Sequence, residues 1–422
     1  MKKEFFESNI GESYVKAALE NGLKIYILEK PQYKSSYAIF GTKYGSIDTV
    51  FSVNGKETSV PEGIAHFLEH KLFESEDGDA FTKFARTGAY ANAFTSFDKT
   101  CYLFSCSDNF DENLSILLDF VQSPYFTEET VKKEQGIIGQ EIRMYDDSPG
   151  WRVMFNMLMS MYHNHPVRID IAGTVDSIAK IDYNLLFDCY NTFYNHSNMF
   201  ICIAGNVDTD SCLQQIERLV KPSVETDINR IGADEPYEIV KDYTEQSLEV
   251  AQPMFCFGFK EKANDGEISV KEKIVTALLL NIISGDASPL YKDLINRGLI
   301  NDEFDSEHFC GNGYSALIFE GESENPKAVA IAIKNEGERL KTEGIDKKLF
   351  SAVRASMYGS SIRLFNNVES IAMQLVECAM SDCGLFDEIK CLKSVTVEDV
   401  MKKLNTLDNN NTVLSVITPR NG

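Results

Sequence analysis

The stretch that most constrains this chain is Pro61-Glu-Gly-Ile-Ala-His66-Phe-Leu-Glu69-His70-Lys-Leu-Phe73-Glu. Its apolar residues recur at helical spacing and predict a helix over 62–74. On a helix His66 and His70 lie one turn apart on one face. Two imidazoles so placed can take neighbouring corners of one tetrahedral Zn²⁺. Glu69 lies on the same side and need not be a ligand. A carboxylate there can take a proton from water that the metal has activated, as a hydrolytic zinc site requires. The bland alternative is a pair of helix histidines with no metal.

A catalytic zinc needs a third protein ligand and keeps its fourth position open. The helix predicted over 127–145, with Thr127 or Thr130 as its cap, offers Glu134 and Glu141. They are seven residues apart, two turns on one face. Between them Gly136-Ile137-Ile138-Gly139 points to close packing against another element. Carboxylates on such a face are costly unless paired or metal-bound. Glu129, Lys132 and Lys133 read instead as a solvated stripe.

The rest of the first half alternates strands and helices. Strands are predicted over 22–28, 35–41, 47–53, 91–97, 100–105 and 199–204. Helices are predicted over 79–87, 111–122, 151–162, 175–194 (broken near Asp182) and 208–220. Residues 221–250 hold three basic and eight acidic residues with two prolines, and read as an interdomain linker running into a strand. The pattern then restarts with a strand at 254–259 and an apolar helix at 270–284. Helices over 288–296, 326–342, 347–360, 368–380 and 397–407 follow, with strands at 315–320 and 412–417. The expected division is a zinc-bearing domain at 1–220, a linker and lead-in strand at 221–250, and a second, similar domain at 251–422 without catalytic residues. Each half closes on an apolar strand and a turn, a weak sign of duplication.

Composition excludes other classes. Lys plus Arg number 41 and Asp plus Glu 64, a net charge of −23. That balance argues against nucleic acid and anionic membrane surfaces as partners. No apolar run follows the two lysines after Met1, and no window approaches a membrane span, so a cytoplasmic protein is expected. The ten cysteines have no CxxC spacing and read as reduced, buried thiols rather than a metal cluster.

H-x-x-E-H followed some seventy residues later by E-x6-E on a helix resembles the pitrilysin/insulinase family of inverzincin zinc metallopeptidases. The resemblance implies that His66, His70 and Glu141 bind one zinc ion, that Glu69 is the general base, and that Glu134 orients a ligand histidine. The segment Asn92-Ala93-Phe-Thr95 is similar to the family's N-A-x-T edge strand, on which a peptide adds as a further strand. Asn92 and Ala93 would then contact the substrate main chain. His165-Pro166 and Ile171-Ala-Gly173-Thr174 match a structural landmark, a turn and a helix cap. The implied fold is α+β: two similar domains, each an antiparallel-rich sheet flanked by helices, together half of a clamshell.

One departure matters. Active family members carry an Arg and a Tyr in a segment that here reads Ser288 to Asn301, with Ile295 and Asn301 at those positions. That pair holds the substrate carbonyl and the oxyanion. The resemblance is therefore to the zinc-bearing chain of paired bacterial peptidases, and implies a heterodimer with an Arg/Tyr-bearing paralogue. A homodimer would leave each site without those donors. The alternatives are a non-catalytic scaffold or processing partner of the same fold, and a zinc hydrolase of non-peptide amides.

Overall fold

The computed structural model describes residues 1–76, 78–223, 226–262 and 268–420. Residues 224 and 225 of the expected linker, and 263–267 and 421–422 of the expected second domain, lie outside the described residues. The first strands are β1 (Lys2–Glu7), β2 (Ser13–Ala18), β3 (Lys24–Glu29) and β4 (Ser36–Thr42). A hairpin of β5 (Val50–Val53) and β6 (Lys56–Ser59) leads to helix α1 (Ile64–Leu72). A short pair, β7 (Glu74–Ser75) and β8 (Gly78–Asp79), precedes α2 (Ala80–Thr87). Then come β9 (Tyr90–Thr95), β10 (Thr100–Cys106), α3 (Phe110–Val121), α4 (Glu128–Asp146) and α5 (Pro149–Met161). The half ends with α6 (Val175–Ile178), α7 (Tyr183–Phe193), β11 (Met199–Gly205) and α8 (Thr209–Leu219).

Among the described residues these strands form a seven-stranded sheet in the order β1-β2-β3-β11-β4-β10-β9. The run Met-Phe-Ile-Cys-Ile-Ala-Gly of β11 is buried throughout, as a strand covered on both faces must be. It runs parallel to β3 and antiparallel to β4. The sheet ends on β9, which pairs with β10 alone.

The second sheet is built from β13 (Tyr243–Leu248), β14 (Met254–Lys260), β15 (Asp305–Gly311), β16 (Tyr314–Glu322) and β17 (Thr412–Pro419), in the order β13-β17-β14-β16-β15. Its helices are α9 (Val270–Ser284), α10 (Pro289–Asn296), α11 (Pro326–Glu343), α12 (Lys347–Arg363), α13 (Val368–Ser381), α14 (Asp387–Ser394) and α15 (Val397–Leu404). Leu278, Leu279, Ile282 and Ile283 of α9 join Phe257, Phe319, Val400 and Leu404 in the core.

Two compact units result, and neither is contiguous in sequence. Unit 1 comprises Met1–Ile142, Asp170–Ile231 and Ile362–Phe386; unit 2 comprises Arg143–Ile169, Gly232–Ser361 and Asp387–Gly422. A division into consecutive segments therefore needs correcting. Helix α13, late in sequence, packs on β11, β4 and β3 of unit 1, and α5 packs on β17, β14 and β13 of unit 2. Each sheet needs an apolar face covered, and each takes a helix from the other half of the chain.

The acidic linker is itself tied to both flanking segments of the chain's sheets and turns. Strand β12 (Ile228–Arg230) pairs with β5, and Arg230 Nε lies 2.8 Å from the buried Asp48 carboxylate. The Glu235 carboxylate accepts from the N–H groups of His163, Asn164 and His165 and pairs with Lys260 Nζ at 2.6 Å.

One expectation about membrane spans also needs correcting. The stretch Val270–Asn296 has the length and apolarity of a span, but it is mostly buried and divides into α9 and α10. The ten cysteines form no disulfide among the described residues, and most are buried.

Candidate metal centre

Helix α1 starts where backbone presses on backbone. Gly63 caps it with φ of 87°, a conformation that L side chains rarely adopt. A Cβ at Gly63 would lie 2.3 Å from Ala172 O, and one at Gly173 would lie 2.5 Å from Glu62 O. Thr174 and Ser177 form a capping box on α6, and Ser177 Oγ also donates to Glu62 O at 2.9 Å. The Ala172-Gly173-Thr174 landmark thus seats the first turn of the helix that carries the histidines.

Helix α4 starts at a reciprocal cap, Thr130 N donating to Thr127 Oγ1 and Thr127 N to Thr130 Oγ1. It brings both carboxylates to α1. His70 Nδ1 lies 3.0 Å from Glu134 Oε1. On the far side of that ring, His70 Nε2 lies 3.4 Å from Glu141 Oε2. His66 Nε2 lies 3.7 Å from Glu141 Oε1. The role expected of Gly136 and Gly139 needs correcting: an added Cβ at either would touch nothing within 4 Å, and Ile137 is exposed. Both carboxylates face histidines of α1, and Gln135 Nε2 ties α4 to Ile178 O and Ile181 O.

Glu69 is buried on the same helix, and Thr95 Oγ1 on β9 donates to its Oε2 at 2.7 Å. Burial pushes the Glu69 carboxyl above the usual range, partly offset by the Thr95 hydrogen bond. Burial, with the neighbouring His70 charge, pushes the His66 imidazole down to about 3, so it is neutral and keeps a lone pair. Burial alone would lower His70 too, but the Glu134 hydrogen bond and the charges of Glu69, Glu141 and Glu134 together raise it.

The donor set fits a zinc ion. One ligand atom each from His66, His70 and Glu141 can be chosen so that all lie within 4.8 Å of one another. Tetrahedral zinc with bonds near 2.0–2.1 Å separates its donors by about 3.3 Å. With Nδ1–H directed at Glu134, His70 turns the lone pair of Nε2 toward Glu141. The buried Nδ1 of His66 has no hydrogen-bond partner among the described residues, and its Nε2 stands beyond hydrogen-bond reach of Glu141. A cation among these donors would engage the lone pair of His66 Nε2, which faces Glu141 outside hydrogen-bond reach.

A cavity of about 500 Å³ opens beside the cluster, lined by Glu69, His70, Phe73, Phe81, Asn92 and Ala93, among others. Asn92 is exposed on β9, and its Oδ1 accepts from Ala93 N at 2.9 Å. Ile295 is exposed on α10, and Asn301 Nδ2 donates to Glu322 Oε2 at 2.8 Å. Thr95 was not among the residues singled out from sequence; its signal was the final position of N-A-x-T. His165, by contrast, bonds to Val167 N and Asn312 O and is structural.

Residues 54–175 match the family profile described as Insulinase (Peptidase family M16), and residues 180–357 match the Peptidase M16 inactive domain. Over 411 residues the chain is 41% identical to the Bacillus subtilis zinc protease YmfH, covering 95% of each protein. The chain belongs to peptidase family M16. A second relative, the B. subtilis zinc protease YmxG, is 26% identical over 92% of this chain and 91% of its own length. The crystal structure of an M16-like peptidase from Alicyclobacillus acidocaldarius superposes with a TM-score of 0.94 at 33% identity, over 98% of this chain and 99% of that one. Pitrilysin shares the fold, with a TM-score of 0.75 at 18% identity over 98% of this chain and 45% of its own. The α+β fold of two similar domains is thus that of M16 peptidases.

Proposed function

We propose that this chain is the zinc-bearing subunit of a metalloendopeptidase that hydrolyses unfolded peptides. The observation that carries the reading is the convergence of His66, His70 and Glu141, with Glu69 buried beside them and held by a strand at the sheet edge. His66, His70 and Glu141 would hold the ion, and Glu134 would fix the His70 tautomer. A zinc ion so bound would lower the pKa of water and polarise a carbonyl. The peptide would add to β9 as a further strand, with Asn92 and Ala93 contacting its main chain. Glu69, with Oε2 held by Thr95, would take the water's proton on Oε1 and pass it to the leaving amine.

The oxyanion donors would come from a paralogue, because Ile295 and Asn301 offer neither a guanidinium nor a phenol. The match of residues 180–357 to the inactive-domain profile supports that division. The test is cleavage of a quenched unfolded peptide by the zinc-loaded chain, alone and mixed with its Arg/Tyr-bearing relative. The mixture should cleave at least a hundredfold faster. Glu69→Gln should lower that rate about a thousandfold with zinc content unchanged. Full activity of the isolated chain would sink the divided site, and an undiminished rate in Glu69→Gln would remove the base.

A further inference from the structure

We propose that Thr95 is a positioning residue: its hydroxyl sets the rotation of the Glu69 carboxylate, so the strand that receives the peptide also aims the base. The inference rests on the peptidase reading and goes beyond the ligand set.

The first ground is the direction of the hydrogen bond. A carboxylate can only accept, so at 2.7 Å the Thr95 proton lies toward Glu69 Oε2. The neighbouring Thr100 does not compete for that proton. Thr100 Oγ1 is fully buried, lies 2.8 Å from Tyr44 O and spends its own proton there, while its distance to Thr95 Oγ1 is 3.5 Å.

The second ground is that the donor is itself locked. Thr95 pairs across the hairpin with Thr100, and Ser96 N donates to Lys99 O directly after it. The hairpin tip is tied to the segment before it, Ser46 N donating to Ser96 O and Ile47 N to Phe97 O, each at 3.0 Å. A Cβ at Gly45 would lie 2.4 Å from Phe97 and Asp98 backbone atoms, so only glycine lets the tip sit there. From the other side Glu377 of α13 holds Lys99 at 3.1 Å. A donor fixed from both sides holds a carboxylate more narrowly than a mobile one could.

The third ground is register. Asn92 and Thr95 are three residues apart on one strand, about 10 Å at the usual rise. A peptide seated along β9 is therefore placed by the same backbone that carries the hydroxyl gripping the base. Misplacing a catalytic group by an ångström costs up to about a hundredfold in rate.

The test compares Thr95→Val, which keeps the branched shape and loses the hydroxyl, with Thr95→Ser, which keeps the hydroxyl. In the zinc-loaded, partner-mixed enzyme, Thr95→Val should lower kcat at least tenfold with KM within twofold and zinc content unchanged. Thr95→Ser should recover to within threefold of wild type. Crystal structures of the two zinc-loaded chains supply a readout independent of activity. The Glu69 carboxylate should hold one rotation in wild type and turn or split in Thr95→Val. A rise in KM with kcat intact, or Thr95→Ser as poor as Thr95→Val, would overturn the assignment. An unmoved carboxylate in the Thr95→Val crystal would do so even if no peptide were cleaved, and in that event the peptidase reading would fail on its own evidence.

Discussion

Units 1 and 2 share one frame and use it differently. In unit 1 the strands β3-β11-β4-β10-β9 follow one another with a parallel pair first and antiparallel pairs after it. In unit 2 the strands β13-β17-β14-β16-β15 repeat that order and those directions. Each sheet carries a helix against its last strands: α1 on β9 and β10, and α9 on β15. On α1 the buried residues include His66 and Glu69, with His70 half-buried beside them; on α9 they are mostly leucines and isoleucines. The frame sets where a helix lies, and the side chains decide whether that helix holds a metal or fills a core.

The contrast can be broken at several strengths. The largest effect should come from undoing the helix exchange. A fragment of residues 1–231 lacks α13 and would bare the apolar face of β11 and β4. It should show no cooperative thermal transition by circular dichroism, and supplying residues 362–386 should restore one. A fragment melting cooperatively at the temperature of the full chain would show that the exchange is dispensable.

The next effects should separate the two helices. Leu279→Ala in α9 empties a fully buried site and should cost about 2–5 kcal/mol of stability in denaturant titrations. Its zinc affinity should be unchanged. Glu134→Gln beside α1 should do the reverse, weakening zinc about tenfold to a hundredfold in competition with a chelator while moving the melting point little. Equal effects of both variants on zinc would contradict the division of labour.

The smallest effect is a difference in acid response. Burial raises the Asp48 carboxyl of unit 1 to about 6 against an ordinary 3.8, despite Arg230. The folded chain then keeps a proton there that the unfolded chain has lost, so stability falls as pH rises across that window. Asp399 of unit 2 is held down to about 2 by Lys271 and the Thr396 N–H. Its contribution is present above pH 3.8 and lost as pH falls toward 2; the exposed Lys271 partner keeps the effect slight. Melting curves against pH should lose the first slope in Asp48→Asn and the second in Asp399→Asn.

Much of the candidate metal centre is legible in the sequence because its pieces are local. The i, i+4 histidines, the intervening glutamate and the paired glutamates of α4 need only helical geometry to be placed on their faces. The break at Asp182 and the caps at Thr127 and Thr174 are also short-range chemistry. Strands β1 and β15 escaped notice because Lys-Lys-Glu-Phe-Phe-Glu and Asp-Ser-Glu-His-Phe-Cys-Gly lack a clean alternation, and the sheet edges they occupy demand little burial.

By itself, then, the sequence determined the candidate ligands, the candidate base, the alternation of strands and helices and the family. Those features rest on spacings of a few residues, or on motifs that recur within them. The tertiary structure alone decided that Glu134 and Glu141 meet opposite sides of the His70 ring, that Thr95 grips Glu69, and that α5 joins unit 2 while α13 joins unit 1. These depend on contacts between residues tens to hundreds of positions apart. Which partner satisfies a buried group or covers an apolar face is settled only when the whole chain competes for the same space.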